Sequence, residues 1–183
     1  MRHSRLFFLL FLLVAGTSFT SCKTTKQNAG NHHHSNNNNT SSNLNSTYSK
    51  ELGVTLNGSE DKKLINCLAE WVGVPYKYGG NTKQGTDCSG MVFSVYKETY
   101  NIDMYRSSAD QIKNVKEIDK KDLKAGDLVF FKISGDKISH VGIYLAENKF
   151  IHATTKKGVM VNDLNEEYYK KYYFTSGRVI GIP

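Results

Sequence analysis

The chemistry of this 183-residue chain gathers around one cysteine and two histidines. Cys88 lies in the polar string Thr86-Asp87-Cys88-Ser89-Gly90, directly before an apolar stripe at helical spacing, Met91, Val92, Val95 and Tyr96. The pattern sets Cys88 at a helix N-terminus, where unpaired backbone N–H groups and the positive end of the helix dipole favour a thiolate. A thiol nucleophile also needs a base. His140 opens the strand-like run His140-Val141-Gly142-Ile143-Tyr144, and His152 sits within Phe150-Ile151-His152-Ala153. Side chains alternate faces along a strand, so the two histidines share a face of a hairpin when the connecting loop has an odd number of residues. Ala146-Glu147-Asn148 is such a loop. One histidine then serves as base toward Cys88 while the other fixes its ring through the second nitrogen.

Other chemistries find less support. The sequence holds no HExxH zinc motif and no GxSxG elbow, and the phosphate-loop spacing of Gly80 to Gly85 is followed by Thr86 where lysine is needed. A zinc site of Cys88 and two histidines is the competing arrangement, although it lacks the close CxxC pairing typical of such sites. The run His32-His33-His34 has no second ligand cluster nearby and reads as solvated. No metal and no cofactor is expected. The net charge of +7 falls to +5 without Arg2 and Arg5 of the N-terminal segment, and that excess is spread over stretches such as Lys120-Lys121, Lys156-Lys157 and Lys170-Lys171, which read as solvated faces instead of a phosphate groove, so nucleic acid is not expected as a partner.

The elements that must position these residues follow from periodicity. Leu64, Ile65, Leu68 and Trp71 predict an amphipathic helix over about Glu60 to Val72, with Ser59 as its cap and Gly73 and Pro75 as its stop. A loop through Gly79-Gly80 leads to the second helix, Cys88 to about Tyr100, and the polar stretch around Arg106 to Lys116 holds a third, short one. Strands are predicted at Asp127 to Ile133, His140 to Leu145, Lys149 to Thr154, Gly158 to Val161 and Arg178 to Ile180. Helices followed by hairpin-connected strands make an α+β domain, with N-terminal helices packed on an antiparallel sheet around one modest core. Cys67 falls on the apolar helical pattern and reads as buried and inert; it and Cys88 either bridge or do different jobs.

Ahead of this domain, residues 1–21 read as a secretory leader: a basic start (Arg2, His3, Arg5), then the apolar run Leu6 to Ala15, too short to span a bilayer. The leader ends in Phe19-Thr20-Ser21-Cys22, which resembles the lipobox of bacterial lipoproteins apart from Phe19, where leucine is usual. The resemblance implies that Cys22 is acylated and anchors the mature chain to a membrane. Residues 22–57, rich in Asn, Ser and Thr, read as a disordered tether with a reach of roughly 30 Å. Residues 58–183 are the folded domain.

Five strings share a family pattern: Pro75-Tyr76-Lys77-Tyr78-Gly79-Gly80, Thr86-Asp87-Cys88-Ser89-Gly90, Lys124-Ala125-Gly126-Asp127-Leu128-Val129-Phe130-Phe131, Ser139-His140-Val141-Gly142-Ile143-Tyr144 and Phe150-Ile151-His152-Ala153. In order and spacing they resemble the NlpC-type cell-wall cysteine peptidases, and within them the lipoprotein murein endopeptidases of the MepS type. The resemblance covers about Leu64 to Ile180. It implies a papain-like fold in which Cys88 attacks a peptide carbonyl, His140 is the general base and later the acid, and His152 orients His140. It also implies that Tyr76 helps hold the oxyanion and that Asp87 and Ser89 contact the substrate's amine end; an aspartate before a helix is equally a cap. The implied substrates are peptidoglycan stem peptides, cut at D-alanyl-diaminopimelate cross-links or at D-glutamyl-diaminopimelate bonds. The implied location is the periplasmic face of the outer membrane, and a monomer is expected. Unrestrained wall hydrolysis would endanger the cell, so a regulatory partner, a protease or limited access is expected to restrain it. The rival readings are a catalytically silent lipoprotein that binds wall peptides or a protein partner, and a papain-like amidase or acyltransferase.

Overall fold

The computed structural model describes residues 47–182; the leader, Cys22 and the tether up to residue 46 lie outside the described residues. The described residues belong to one compact unit, 36–183. Its core extends further toward the N-terminus than the composition of the tether implies. A helix, α1, covers residues 47–52, and Leu52 and Val54 are 1% and 4% exposed within the main apolar cluster. The tether boundary at residue 57 is therefore corrected: burying these two side chains outweighs the polarity of the Asn, Ser and Thr around them.

Helix α2 (Lys62–Trp71) buries Leu64, Ile65, Leu68 and Trp71, as its spacing predicts. Its cap is Asp61 and not Ser59: the Asp61 carboxylate accepts from the backbone N–H of Lys63 at 2.8 Å. A carboxylate both satisfies the free N–H groups and complements the helix dipole, which a hydroxyl two residues earlier cannot do. A two-stranded ribbon, β1 (Asn81–Thr82) with β2 (Gly85–Thr86), occupies the predicted loop. Helix α3 (Cys88–Tyr100) has the predicted limits, opening on the N-cap Asp87 and closing on Asn101 in the left-handed conformation, φ 56°. The predicted short helix is α4 (Ser108–Gln111).

The sheet contains β3 (Val115–Ile118), β4 (Leu128–Phe131), β5 (His140–Tyr144), β6 (Lys149–Thr154), β7 (Gly158–Asp163) and β8 (Tyr173–Val179), with α5 (Glu167–Tyr172) between the last two. Its order is β3-β8-β4-β5-β6-β7 and every pair is antiparallel. Three features differ from the sequence reading. The last strand starts at Tyr173 instead of Arg178, β3 lies in the polar stretch, and α5 was not predicted. Edge strand β3 has no fully buried position, and β8 carries Thr175, Ser176 and Gly177, so neither shows apolar alternation.

Strand β4 is buried on both faces, which divides the core. Phe130, Val141, Ile143, Ile151 and Ala153 join the residues of α2 and α3 in one cluster, while Val129, Phe131, Tyr144, Phe150, Leu164 and Tyr169 form a second that includes α5. The alternation that puts Val141 and Ile143 in the first cluster turns His140, Gly142 and Tyr144 the other way.

Candidate functional site

The β5–β6 hairpin delivers the expected geometry. Ile143 pairs with Ile151 and Tyr144 with Phe150, and the Leu145 N–H donates to the Lys149 carbonyl at 2.9 Å, which closes a three-residue turn. Continuing this register sets His152 opposite Gly142, on the face that carries His140. A β-carbon on Gly142 would lie 2.6 Å from the Phe150 ring and 3.2 Å from the His152 β-carbon. Glycine at this position leaves room for the Phe150 ring and the His152 side chain, and His140 Nε2 lies 2.7 Å from His152 Nδ1. The ring centroids are 4.9 Å apart at an interplanar angle of 80°.

Cys88 is the first residue of α3, as predicted, and lines one cavity of about 250 Å³ with Tyr76, Ser139, His140 and His152. Cys88 and Cys67 are both free thiols, so they do different jobs. Burial pushes Cys67 up to about 11, helped by the nearby Glu98 carboxylate, which leaves it inert near neutral pH. Cys67 is only partly buried, beside that carboxylate at 3.4 Å, so its inertness comes from its surroundings more than from full enclosure.

Burial also pushes the Cys88 thiol up, against the backbone N–H groups of Val141, Ser89 and Cys88 itself, which pull it down. At Cys88 desolvation therefore outweighs the N–H groups of the helix N-terminus, which favours the protonated thiol. The same burial holds His140 down to about 3, aided by His152, and His152 down to about 4, opposed by Asn162 and Glu166. At rest the site is a neutral thiol beside two neutral imidazoles.

On the other side of Cys88 lies a wider cavity of about 640 Å³, lined by Tyr76, Tyr78, Asp87, Ser89 and Arg106 among others. Asp87 does cap α3, its Oδ1 accepting from the Gly90 N–H at 2.6 Å, but the same carboxylate is shared with a residue that the sequence did not reveal. Arg106 donates to Asp87 Oδ1 at 2.9 Å and Oδ2 at 2.8 Å, to the Ser89 hydroxyl at 3.1 Å and to the Gly80 carbonyl at 2.9 Å. The Gly79 N–H and the Ser89 hydroxyl complete the set on Asp87. Burial alone would raise this carboxyl, yet Arg106 and the two backbone N–H groups outweigh it and hold Asp87 below the usual carboxylate range. Gly90 makes the cluster possible, because a β-carbon there would stand 2.0 Å from the Gly80 carbonyl oxygen. Beneath it, fully buried Gln111 donates to the carbonyls of Ser89 and Tyr105.

Tyr76 borders both cavities and bridges to Thr86 at the entry to α3. Burial and the neighbouring Cys88 raise its phenol, so it stays a hydrogen-bond donor. Beyond His152 the structure adds Asn162, Glu166 and Tyr169, none of which the sequence singled out. Among the described residues no three His, Cys, Asp or Glu side chains are grouped to hold a metal ion, and no helix is long and apolar enough to cross a membrane.

Residues 73–178 match the NlpC/P60 family. A probable endopeptidase NlpC homolog of Haemophilus influenzae is 42% identical over 120 residues, which cover 66% of this chain and 63% of that protein. The murein DD-endopeptidase MepS/murein LD-carboxypeptidase of Escherichia coli is 36% identical over 139 residues, 76% of this chain and 73% of that one. Among solved structures, an NlpC/P60 family protein from Bacillus cereus superimposes with a TM-score of 0.60 at 31% identity, covering 64% of this chain and 39% of that chain. The chain thus spans a little under two thirds of the first of these relatives and well under half of the solved one. The family match embraces Cys88, His140 and His152 as well as the Asp87–Arg106 cluster.

Proposed function

Because the chain belongs to the NlpC/P60 family, we propose that it is a peptidoglycan endopeptidase in which Cys88 is the nucleophile, His140 the base and acid, and His152 the residue that orients His140. The observation that carries this reading is the 2.7 Å contact between His140 Nε2 and His152 Nδ1 in the cavity that Cys88 lines. With thiol and imidazole both neutral at rest, the proton passes from Cys88 to His140 as the sulfur attacks the scissile carbonyl. The Tyr76 hydroxyl and the backbone N–H at the start of α3 receive the charge that develops on the carbonyl oxygen. His140 then protonates the leaving amine, and water hydrolyses the acyl-enzyme by the reverse route.

The direction of proton transfer also orients the substrate. The leaving amine must reach His140, so it lies toward the smaller cavity with His140 and His152, and the acyl half lies in the larger one with Arg106. In that larger cavity the Asp87 carboxylate is already filled by Arg106, Ser89 and two backbone N–H groups, and Asp110 is paired with Lys113 at 2.7 Å. A substrate ammonium finds no vacant carboxylate there, which favours stems whose amino end is still amide-bonded to the glycan. The bond proposed is the D-alanyl-diaminopimelate cross-link of intact wall, in keeping with the name of the Escherichia coli relative. The leader and Cys22 make the enzyme a lipoprotein, proposed to stand on the periplasmic face of the outer membrane.

The test is digestion of intact peptidoglycan by residues 36–183, with Cys88→Ala beside it and products separated by mass spectrometry. Cross-linked dimers should disappear in a Cys88-dependent manner. Truncated stems would move the cut to the D-glutamyl bond, and a folded domain that yields no product would leave a silent binding lipoprotein.

A further inference from the structure

The hydrogen bonds behind His152 run in only one direction. Asn162 Nδ2 lies 2.9 and 3.1 Å from the two Glu166 oxygens. A carboxylate only accepts, so the amide NH₂ must face it and the amide oxygen must face the other way. That oxygen, Oδ1, is 2.9 Å from His152 Nε2, which must therefore carry a hydrogen. His152 Nδ1 is then bare and accepts from His140 Nε2–H at 2.7 Å. One nitrogen remains on His140, Nδ1, and it is bare in turn. Turning the Asn162 amide would set its carbonyl oxygen against the Glu166 carboxylate, and that contact excludes the alternative. The carboxylate is itself held, since Glu166 Oε1 also accepts from the Asp163 N–H at 2.9 Å in the turn between β7 and α5. The Tyr169 hydroxyl, 3.3 Å from His152 Nε2 and 3.4 Å from Asn162 Oδ1, fits the same arrangement, able to accept from the Nε2–H and to donate to the amide oxygen.

We propose that Asn162 and Glu166 are positioning residues for the reaction: the Glu166 carboxylate fixes the Asn162 amide, the amide fixes the tautomer of His152, and His152 fixes that of His140, so that Nδ1 is the base. The inference rests on the reading of His140 as the base toward Cys88. The chain reaches 14 residues from His152 to a carboxylate outside the hairpin, and it has the electrostatic sense that catalysis needs. When His140 takes the thiol proton, the new positive charge lies at one end of a line of oriented dipoles whose other end is the Glu166 carboxylate. Around these imidazoles the titratable neighbours are Cys88 on α3, Tyr76 ahead of β1, Tyr168 and Tyr169 on α5, and Glu166. Burial pushes Tyr169 up to about 12, so it is a neutral donor throughout the working range.

The experiment uses residues 36–183, which hold the complete described core and only two histidines, His140 and His152. Ring ¹⁵N shifts in histidine-labelled protein report which nitrogen carries the hydrogen. At neutral pH both rings are expected as Nε2–H. In Asn162→Ala and Glu166→Ala the His152 resonances should move toward a mixture of tautomers. On peptidoglycan kcat should fall about tenfold with KM within about twofold, since the interaction matters in the proton transfer and not in binding. The acidic limb of kcat should move to lower pH, because Asn162 and Glu166 both raise the proton affinity of His152. Glu166→Gln keeps an acceptor for Asn162 Nδ2 and should restore the tautomers without restoring the acidic limb. Folded variants with unchanged tautomers, or a parent protein with Nδ1–H on His152, would overturn the inference. Should the tautomers shift as expected while the parent cuts no wall peptide, the relay stands and the enzymatic reading fails.

Discussion

Two imidazoles kept neutral inside a fold make its stability depend on pH in a window where little else titrates. In the unfolded chain a histidine titrates near 6.5, whereas burial holds His140 to about 3 and His152 to about 4. Between these values the unfolded state binds one more proton per histidine, so stability is full above pH 6.5 and is lost as pH falls. From pH 7 to pH 5 the loss is about 2 kcal/mol for each histidine and about 4 kcal/mol for the pair, at 1.36 kcal/mol per pH unit. Part of the His140 surface opens to the cleft, which makes 4 an upper value. Against a total stability of about 5–15 kcal/mol for a domain, the drop is large. Residues 36–183 contain no other histidine, and Asp87, held low by Arg106, titrates below the window. Urea unfolding at pH 7 and pH 5 measures the difference. His140→Asn and His152→Asn should each remove about half of the pH dependence, whatever they do to stability at pH 7. Parent and double variant losing equal stability between the two pH values would refute the neutral-pair argument.

Four further outcomes follow from the packing and the cleft. Leu52→Ala, at a position 1% exposed in a segment that composition assigns to the tether, should cost about 2–5 kcal/mol by urea unfolding; a solvated tether residue would cost nothing measurable. Tyr76→Phe removes one donor to the developing oxyanion and should lower kcat about a hundredfold with KM little changed; an unaltered kcat would restrict Tyr76 to lining the cleft. Arg106→Lys keeps the charge but loses the fork that spans Asp87, Ser89 and the Gly80 carbonyl, so stability should fall by about 1–3 kcal/mol and kcat/KM with it. Gly142→Ala forces its new methyl against the Phe150 ring and the Ile151 carbonyl, and steady-state kinetics should record a loss of kcat beyond the fraction of protein unfolded.

What the sequence revealed is what local periodicity can encode. Helix α3 begins at Cys88 because a capping aspartate and an apolar stripe meet there, and both lie within a few residues of the thiol. The facing of His140 and His152 required only strand parity and the length of one turn. By contrast, Arg106 is 19 residues from Asp87 in a stretch with no apolar pattern, and nothing local distinguishes it from the other cations of the sequence. Asn162 and Glu166 look like turn residues, and Glu166 does precede α5; their second role exists only because β7 pairs with β6 and returns them to His152. Leu52 and Val54 were hidden for the opposite reason, two apolar residues being too few to outweigh a polar composition until the core that receives them is known.

The same division explains why the proposed reacting residues were easier to find than the residues proposed to tune them. A nucleophile, a base and an orienter must be particular residue types at the ends of particular elements, so their identities restrict the possibilities strongly. A tuning residue needs only one hydrogen-bonding group at the right distance, and many residue types in many positions supply that. At this site the consequence is physical. Burial alone drives Cys88 up and His140 down, the wrong direction for making a thiolate. Opposing it at the sulfur are the backbone N–H groups of Val141, Ser89 and Cys88, and at the far imidazole the Asn162 amide with Glu166 behind it. On the proposed mechanism the reactivity of the site is therefore set by groups outside Cys88, His140 and His152, and those groups are fixed by strand pairing and helix placement.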